Sequence, residues 1–361
     1  MGKSIIIVLF KEQSIRIIFT SFGYMKAHIT IKDLARELNI SPSTVSRALK
    51  DHPDISPETK RVVKELAERL HYKPNLLAQG LRKSKTNTIG VIVPELVHFF
   101  FSTVVSGIED IAYSRGYNVI LCQSAEMYER EVTDARALWD SRVDGMLVSI
   151  SKQTDRFEHF QELLDEGLPI VFFDRIAKGL DASHVVVDDY QGAFNAVEHL
   201  ISKGCKKIVH LAGPENLEIS KNRLNGYKDC LRKYQIEFDE SLVVSCPEGT
   251  YEESKRFTNI LLNNIRAIDG VFGCNDMAAL GAILAVKEKG IMIPDQIKII
   301  GFSDWQLSNL IEPRLSTVYQ GGFEMGQSAA SVLIDEIESD KEVVTHIQKI
   351  ISTKLIERDT T

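Results

Sequence analysis

The sequence predicts a small all-α module followed by a larger α/β core built as two lobes with parallel sheets. Three observations carry this reading. Residues 29–50 hold two short amphipathic helices joined by a tight turn. From Thr88 onward, short apolar strands alternate with helices, the pattern of parallel sheets covered on both faces. The strand run breaks near residues 187–190, which divides the core into two similar lobes.

The first helix is expected over 31–38. Thr30 supplies an N-cap, and Asp33 in the first turn favours the helix dipole. Ile31, Leu34, Ala35 and Leu38 recur at helical spacing and form a buried stripe. Asn39 tolerates the left-handed backbone and can end the helix. Ser41 then caps a second helix, with Pro42 at its first position, where a missing N–H costs nothing. Val45, Ala48 and Leu49 point inward, which leaves Ser43, Thr44, Ser46 and Arg47 outside. Ser56-Pro57-Glu58 opens a third helix to about Leu70, packed through Val62, Val63, Leu66 and Leu70. This is the layout of a helix-turn-helix, whose second helix enters the DNA major groove. The competing reading is a small helical bundle attached to an enzyme.

In the core, strands are expected at 88–94, 118–123, 145–150, 169–174, 184–188, 207–213, 242–246, 270–274, 298–301, 316–320 and 348–355. Helices are expected at 100–115, 129–141, 191–203, 221–234, 252–264 and 276–288. Such sheets bind ligands at the carboxyl ends of their strands. The residues found there are Asp174-Arg175, Asp188-Asp189, Asn275-Asp276 and Ser303-Asp304-Trp305. Each Asp could equally be a helix cap, and the two roles can coexist.

The chain has 361 residues, 44% of them hydrophobic and 26% charged. That is an ordinary globular balance and enough chain for two or three domains. The net charge of −7 is unevenly spread: residues 25–85 carry +6, residues 86–361 carry −15 and residues 1–24 carry +2. A basic module on an acidic body suits a segment that meets phosphates. Five cysteines, with no CxxC pair, read as buried reduced thiols rather than disulfides or a metal site. Phosphate-binding loop, dinucleotide fingerprint, nucleophile elbow and HExxH signatures are missing, so neither an enzyme, a cofactor nor a metal is expected. The apolar run 5–10 is too short for a signal core or a membrane span. Residues 1–24 therefore read as foreign to the fold, with Met25 a natural start and the protein cytoplasmic.

These residues resemble the LacI/GalR (lactose-repressor-type) family of transcriptional regulators, from Ile29 to about Glu357. The most specific stretches are Thr30-Ile31-Lys32-Asp33-Leu34-Ala35, then Ser41 through Leu49, then His71-Tyr72-Lys73-Pro74-Asn75. Val143-Asp144-Gly145, Asn275 through Gly281 and Ile300 through Asp304 add to it. The resemblance implies a lambda-repressor-like helix-turn-helix over 25–73 and a hinge helix and linker over 74–86. It implies a type I periplasmic-binding-protein-like core over 87–361. The N lobe would take 87–186 and 320–345, and the C lobe 187–318 and 346–357. It further implies a homodimer on palindromic double-stranded operator DNA, a carbohydrate effector and no membrane attachment.

Carried over by position, Ser43 and Arg47, with Pro42 beside them, fall on the base-reading face, together with Thr44. Thr30, Ser41, Ser46, Tyr72 and Asn75 resemble phosphate-contacting or positioning residues. Ala78 and Leu81 fall in the hinge, where Leu81 matches a leucine that wedges into the minor groove and kinks the operator. Phe100, Phe101, Asp174, Arg223, Asn275, Asp276, Ser303 and Asp304 correspond to effector-cleft positions.

Five positions depart from the family pattern. Pro42 replaces a polar or aromatic base-reader. Gly80 lies in the hinge helix and costs it roughly 1 kcal/mol against alanine, so the hinge is expected to fold only on DNA. Ser303 replaces an acidic residue, while Leu217 and Ile219 replace polar contacts. A solute-binding protein of similar fold would need a signal peptide and would lack the basic module. An α/β enzyme would need a phosphate loop or a nucleophile–base pair.

Overall fold

The computed structural model describes residues 29–72, 85–97, 99–339 and 345–361. The chain forms two compact units, residues 1–84 and 85–361. The expectations for residues 1–24, and for Asn75, Ala78, Gly80 and Leu81, lie outside the described residues.

The first unit holds α1 (Ile31–Glu37), α2 (Pro42–Leu49) and α3 (Pro57–Arg69). Each start is capped as the sequence indicates. Asp33 Oδ2 accepts from Thr30 N at 2.9 Å and from Thr30 Oγ1 at 2.7 Å. Ser41 Oγ accepts from Thr44 N at 3.0 Å, and Ser56 Oγ from Thr59 N at 3.2 Å. Asn39 makes the turn at φ 53°. Leu34, Ala35, Val45, Ala48, Val63, Leu66 and Ala67 form the core, with Tyr72 packed half-buried against it.

The second unit is two α/β lobes. The N lobe contains β1 (Thr88–Val93), α4 (Phe99–Ser114), β2 (Asn118–Gln123), α5 (Tyr128–Asp140), β3 (Gly145–Val148), α6 (Glu158–Asp165), β4 (Ile170–Phe173) and β5 (Ser183–Val187). The C lobe follows with α7 (Asp189–Ser202), β6 (Ile208–Ala212), α8 (Glu218–Lys233), β7 (Val243–Ser245), α9 (Tyr251–Asn264), β8 (Gly270–Gly273), α10 (Asp276–Glu288), β9 (Lys298–Ile300) and β10 (Thr317–Tyr319). The chain returns to the N lobe as α11 (Gly322–Glu338) and β11 (Gln348–Ile351), then crosses again to β12 (Lys354–Ile356).

The N-lobe sheet runs β11-β5-β4-β3-β1-β2 and the C-lobe sheet β7-β6-β8-β9, with every pairing parallel. Strand alternation sends Ile89, Val91, Leu147 and Val171 to a core under α4 and α11. It sends Ile92, Met146, Val148, Ile170 and Phe172 to a second core under α5 and α6. Both faces of the sheet are therefore covered, and the strands read as continuous apolar runs.

Two departures from the sequence reading have physical causes. The strand expected over 348–355 is two strands in different lobes: β11 pairs with β5, whereas β12 pairs antiparallel with β10. Asp188 N donates to Ile351 O, so the β5 ladder ends where α7 begins. The transfer to the C lobe expected at residue 346 therefore falls after Ile351. Helix α11 falls outside the sequence expectation because glycines and alanines interrupt the apolar stripe of its inner face. A Cβ on Gly326 would lie 2.0 Å from Val104 O, and one on Gly107 would lie 2.1 Å from Phe323 O. Backbones of α4 and α11 meet where larger apolar residues would be expected.

Candidate ligand cleft and DNA-reading helix

A cleft opens between the lobes at the carboxyl ends of both sheets. The N lobe lines it with Phe99, Phe100, Phe101, Lys152, Asp174 and Arg175. The C lobe adds Ser220, Arg223, Cys274, Asn275, Ser303 and Trp305, and Gln320 stands at a crossing between lobes.

Arg223, on the buried face of α8, anchors the C-lobe wall. Its Nε donates to Asp189 Oδ1 at 2.8 Å, its Nη2 lies 2.7 Å from the same oxygen, and its Nη1 donates to Cys274 O. The guanidinium lies 3.8 Å above the Phe302 ring. With Nε and one Nη1 N–H so bonded, N–H groups remain on both Nη atoms. Burial pushes Asp189 up to about 6, against the pull of Arg223.

Asp174 holds the facing wall. It follows β4 with a left-handed backbone, φ 58°, and is 5% exposed. Its nearest recorded cation is Arg175 Nε, at 3.9 Å. Burial raises its pKa, with Arg175 and Arg223 opposing. Arg175 is held elsewhere, its Nη1 donating to Glu126 at 2.8 and 3.0 Å, while its Nε has no hydrogen-bond partner. Burial pushes Glu126 up, but Arg175 and Lys152 outweigh it and hold the carboxyl below its usual range.

Seven of the eight expected cleft residues meet here: Phe100, Phe101, Asp174, Arg223, Asn275, Asp276 and Ser303. Asp304 does not. Its Oδ1 accepts from Arg358 Nη2 at 2.6 Å, so its charge is satisfied away from the cleft. Asp276 reaches the lining, but its carboxylate is spent on the scaffold. Its Oδ2 accepts from Trp305 N and Ser308 Oγ, each at 2.7 Å, and its Oδ1 from Thr317 Oγ1. Asn275 caps α10 through Ala278 N at 2.7 Å and donates to Gly249 O at 3.3 Å. Ser303 Oγ donates to Gln320 Oε1 at 2.7 Å.

Lys152, Arg175, Trp305 and Gln320 also line the cleft, as do the apolar Leu217 and Ile219. The strand-end rule points at Arg175 and Trp305 directly. Applied to β3 and β10, it would also have found Lys152 and Gln320. Among the described residues no cluster of His, Cys, Asp or Glu could hold a metal.

In the first unit, Ser43 and Arg47 are exposed on α2, and Ser46 is half-buried. Arg47 makes no hydrogen bond or ion pair with another described side chain. Pro42 is exposed beside them. The hydroxyls of Thr30, Ser41 and Thr44 are engaged in the caps.

A capped helix-turn-helix joined to a two-lobed, ligand-cleft core defines a ligand-responsive DNA-binding regulator. Residues 30–75 match the family described as bacterial regulatory proteins, lacI family, and residues 197–361 a periplasmic binding protein-like domain. Catabolite control protein A of Priestia megaterium is 33% identical over 307 residues, 85% of this chain and 92% of that protein. The ribose operon repressor of Halalkalibacterium halodurans is 32% identical, covering 92% of this chain and 97% of that protein. The structure of the Lac repressor dimer bound to operator superposes with a TM-score of 0.81 at 23% identity, over 92% of this chain and 99% of that one. The chain belongs to the lacI family and is a DNA-binding transcriptional regulator. Among the described residues no helix is long and apolar enough to cross a membrane.

Proposed function

We propose that this protein is a cytoplasmic, non-enzymatic repressor. In this reading it binds a palindromic operator as a homodimer and changes operator affinity when an uncharged carbohydrate enters the cleft. Arg47 and Ser43 read base edges. Thr30, Ser41, Ser46 and Tyr72 position the module on phosphates. Asn75, Ala78 and Leu81 belong to the hinge segment that meets the minor groove.

The observation that carries the ligand reading is the pairing of Asp174 with Arg223. A carboxylate with no close donor faces a guanidinium with spare N–H groups across an aromatic-lined cleft. Hydroxyl groups can donate to the first and accept from the second. The cations there are balanced: Arg223 by Asp189, and Arg175 and Lys152 by Glu126, with Asp174 besides. No surplus positive charge awaits a phosphate. A relative named for the ribose operon supports the carbohydrate class.

The test is selection of bound duplexes from a random pool, followed by titration of the selected site with and without neutral sugars and their phosphates. A neutral sugar should shift operator affinity tenfold or more, which needs about 1.4 kcal/mol of differential binding. A response confined to sugar phosphates would reject the ligand class, and equal affinity for all duplexes would reject the operator reading.

A further inference from the structure

The two lobes are fastened to each other at the cleft mouth. The fastening has two halves. From the N lobe, Lys152 crosses the gap and its Nζ donates to Glu248 O at 2.8 Å. From the C lobe, Asn216 Nδ2 returns a bond to Lys152 O at 2.7 Å. The adjacent Leu217 is 2% exposed because it inserts into the N-lobe core beside Phe160 and Phe172. Glu218, next along, faces Lys178 of the N lobe at 3.4 Å. Three consecutive C-lobe residues therefore each hold the other lobe, by a hydrogen bond, an apolar plug and an ion pair.

The Lys152 loop is built to resist being pulled. Ser151 N donates to the buried Glu131 Oε2 at 2.6 Å, and Thr154 Oγ1 to Glu131 Oε1 at 2.8 Å. Lys152 N donates to Glu126 Oε2 at 2.7 Å. Glu131 is 0% exposed on α5, so it ties the loop to the rigid body of the lobe.

We infer that Lys152 and the Asn216-Leu217-Glu218 segment form a clasp that holds the two lobes together at the cleft mouth. Two positions of the sequence explain why this chain has it. Leu217 and Ile219 are apolar where the family resemblance leads one to expect polar contacts, and both now pack on the N lobe. They tie the lobes together from positions that also line the cleft. A ligand reaches this cleft only while the clasp is open, so the clasp limits its entry. For the ligand consequence this rests on the proposed effector cleft, but the clasp itself can be tested without any ligand.

The chain has two tryptophans, Trp139 and Trp305, and only Trp305 lines the cleft. In full-length protein carrying Trp139→Phe, Trp305 fluorescence is quenched with acrylamide, a small neutral probe. Lys152→Met, Asn216→Ala and Leu217→Ser should each raise the quenching constant about twofold or more as the open state gains population. Lys152→Arg, which keeps a donor at the same reach, should stay near the parent. Lys233→Ala, which breaks a surface pair with Glu198 far from the mouth, should change nothing. Unchanged quenching in Lys152→Met and Asn216→Ala overturns the clasp, as does an equal rise in Lys233→Ala. A Leu217→Ser protein that fails to fold leaves the other two variants to decide. Failure here would leave the operator and sugar titrations untouched.

Discussion

Arg223 and Asp189 form a buried pair in which Nε and Nη2 both reach the same carboxylate oxygen, at 2.8 and 2.7 Å. The pair joins α8 to the first turn of α7, where the chain has just crossed from the N lobe. It is thus both cleft wall and lobe scaffold. Arg223→Ala should destabilise the core by about 3–5 kcal/mol, because Asp189 is left charged, buried and unpaired. Adding Asp189→Asn should recover much of that loss. A double-mutant cycle by urea denaturation measures it, and additive single effects would refute the coupling.

The same pair gives a pH signature. Asp189 is pushed up to about 6 by burial, from an ordinary value of 3.8. The folded protein therefore holds this proton more tightly than the unfolded chain. The stabilising contribution is complete below about 4 and is lost as pH rises through about 6. Relative to Asp189→Asn, the wild type should gain stability on going from pH 7 to pH 5, by about 1.3 kcal/mol. A flat difference in melting temperature across that range would contradict the assignment.

Asp174 should show the opposite demands of folding and binding. Its carboxylate is buried without a close donor, and burial raises its pKa. Asparagine tolerates its φ of 58° and removes the buried charge. Asp174→Asn should raise the melting temperature of the unliganded protein while weakening binding of the active neutral sugar tenfold or more. Loss of stability together with unchanged binding would place Asp174 in the scaffold instead.

The legible parts of this chain are those where local chemistry decides. Caps at Thr30, Ser41 and Ser56, and the left-handed turn at Asn39, are fixed by residues one to three positions away. The parallel strands are legible because burial on both faces makes them continuous apolar runs. Helix α11 was not legible. Its identity as a buried helix depends on Gly326 meeting Val104 O on another helix, 222 residues earlier in the chain. The fates of Asp276 and Asp304 were equally distant matters, decided by Thr317, Ser308 and Arg358. The sequence placed both carboxylates near a ligand cleft, and tertiary partners then took them.

That close helix crossing has its own consequence. A Cβ at Gly326 would lie 2.0 Å from Val104 O and 2.9 Å from Ile108 N. Both are backbone atoms and cannot rotate away. Gly326→Ala should cost about 1–3 kcal/mol despite alanine's better helix propensity, because overpacking dominates. Stabilisation by that substitution, read from a denaturation midpoint, would mean α4 and α11 do not meet this closely.

Arg47 is the remaining test of the DNA-reading surface. It is exposed on α2, its guanidinium is unpaired among the described side chains, and Ser43 lies one turn earlier on the same helix. A guanidinium that reads a base edge supplies two parallel donors, whereas one that meets a phosphate supplies mainly charge. The two roles separate under substitution. If Arg47 reads a base, Arg47→Ala should cost about 1–3 kcal/mol on the selected operator and flatten preference at one base pair per half-site. Arg47→Lys should keep affinity for random duplex yet lose much of that preference, since a lysine cannot reproduce the planar fork. If Arg47 meets a phosphate, Arg47→Ala should weaken all duplexes alike and reduce the salt slope by about 1. Binding titrations of the three proteins on selected and random duplexes, at two salt concentrations, decide between these, and a uniform loss would move Arg47 off the base-reading face.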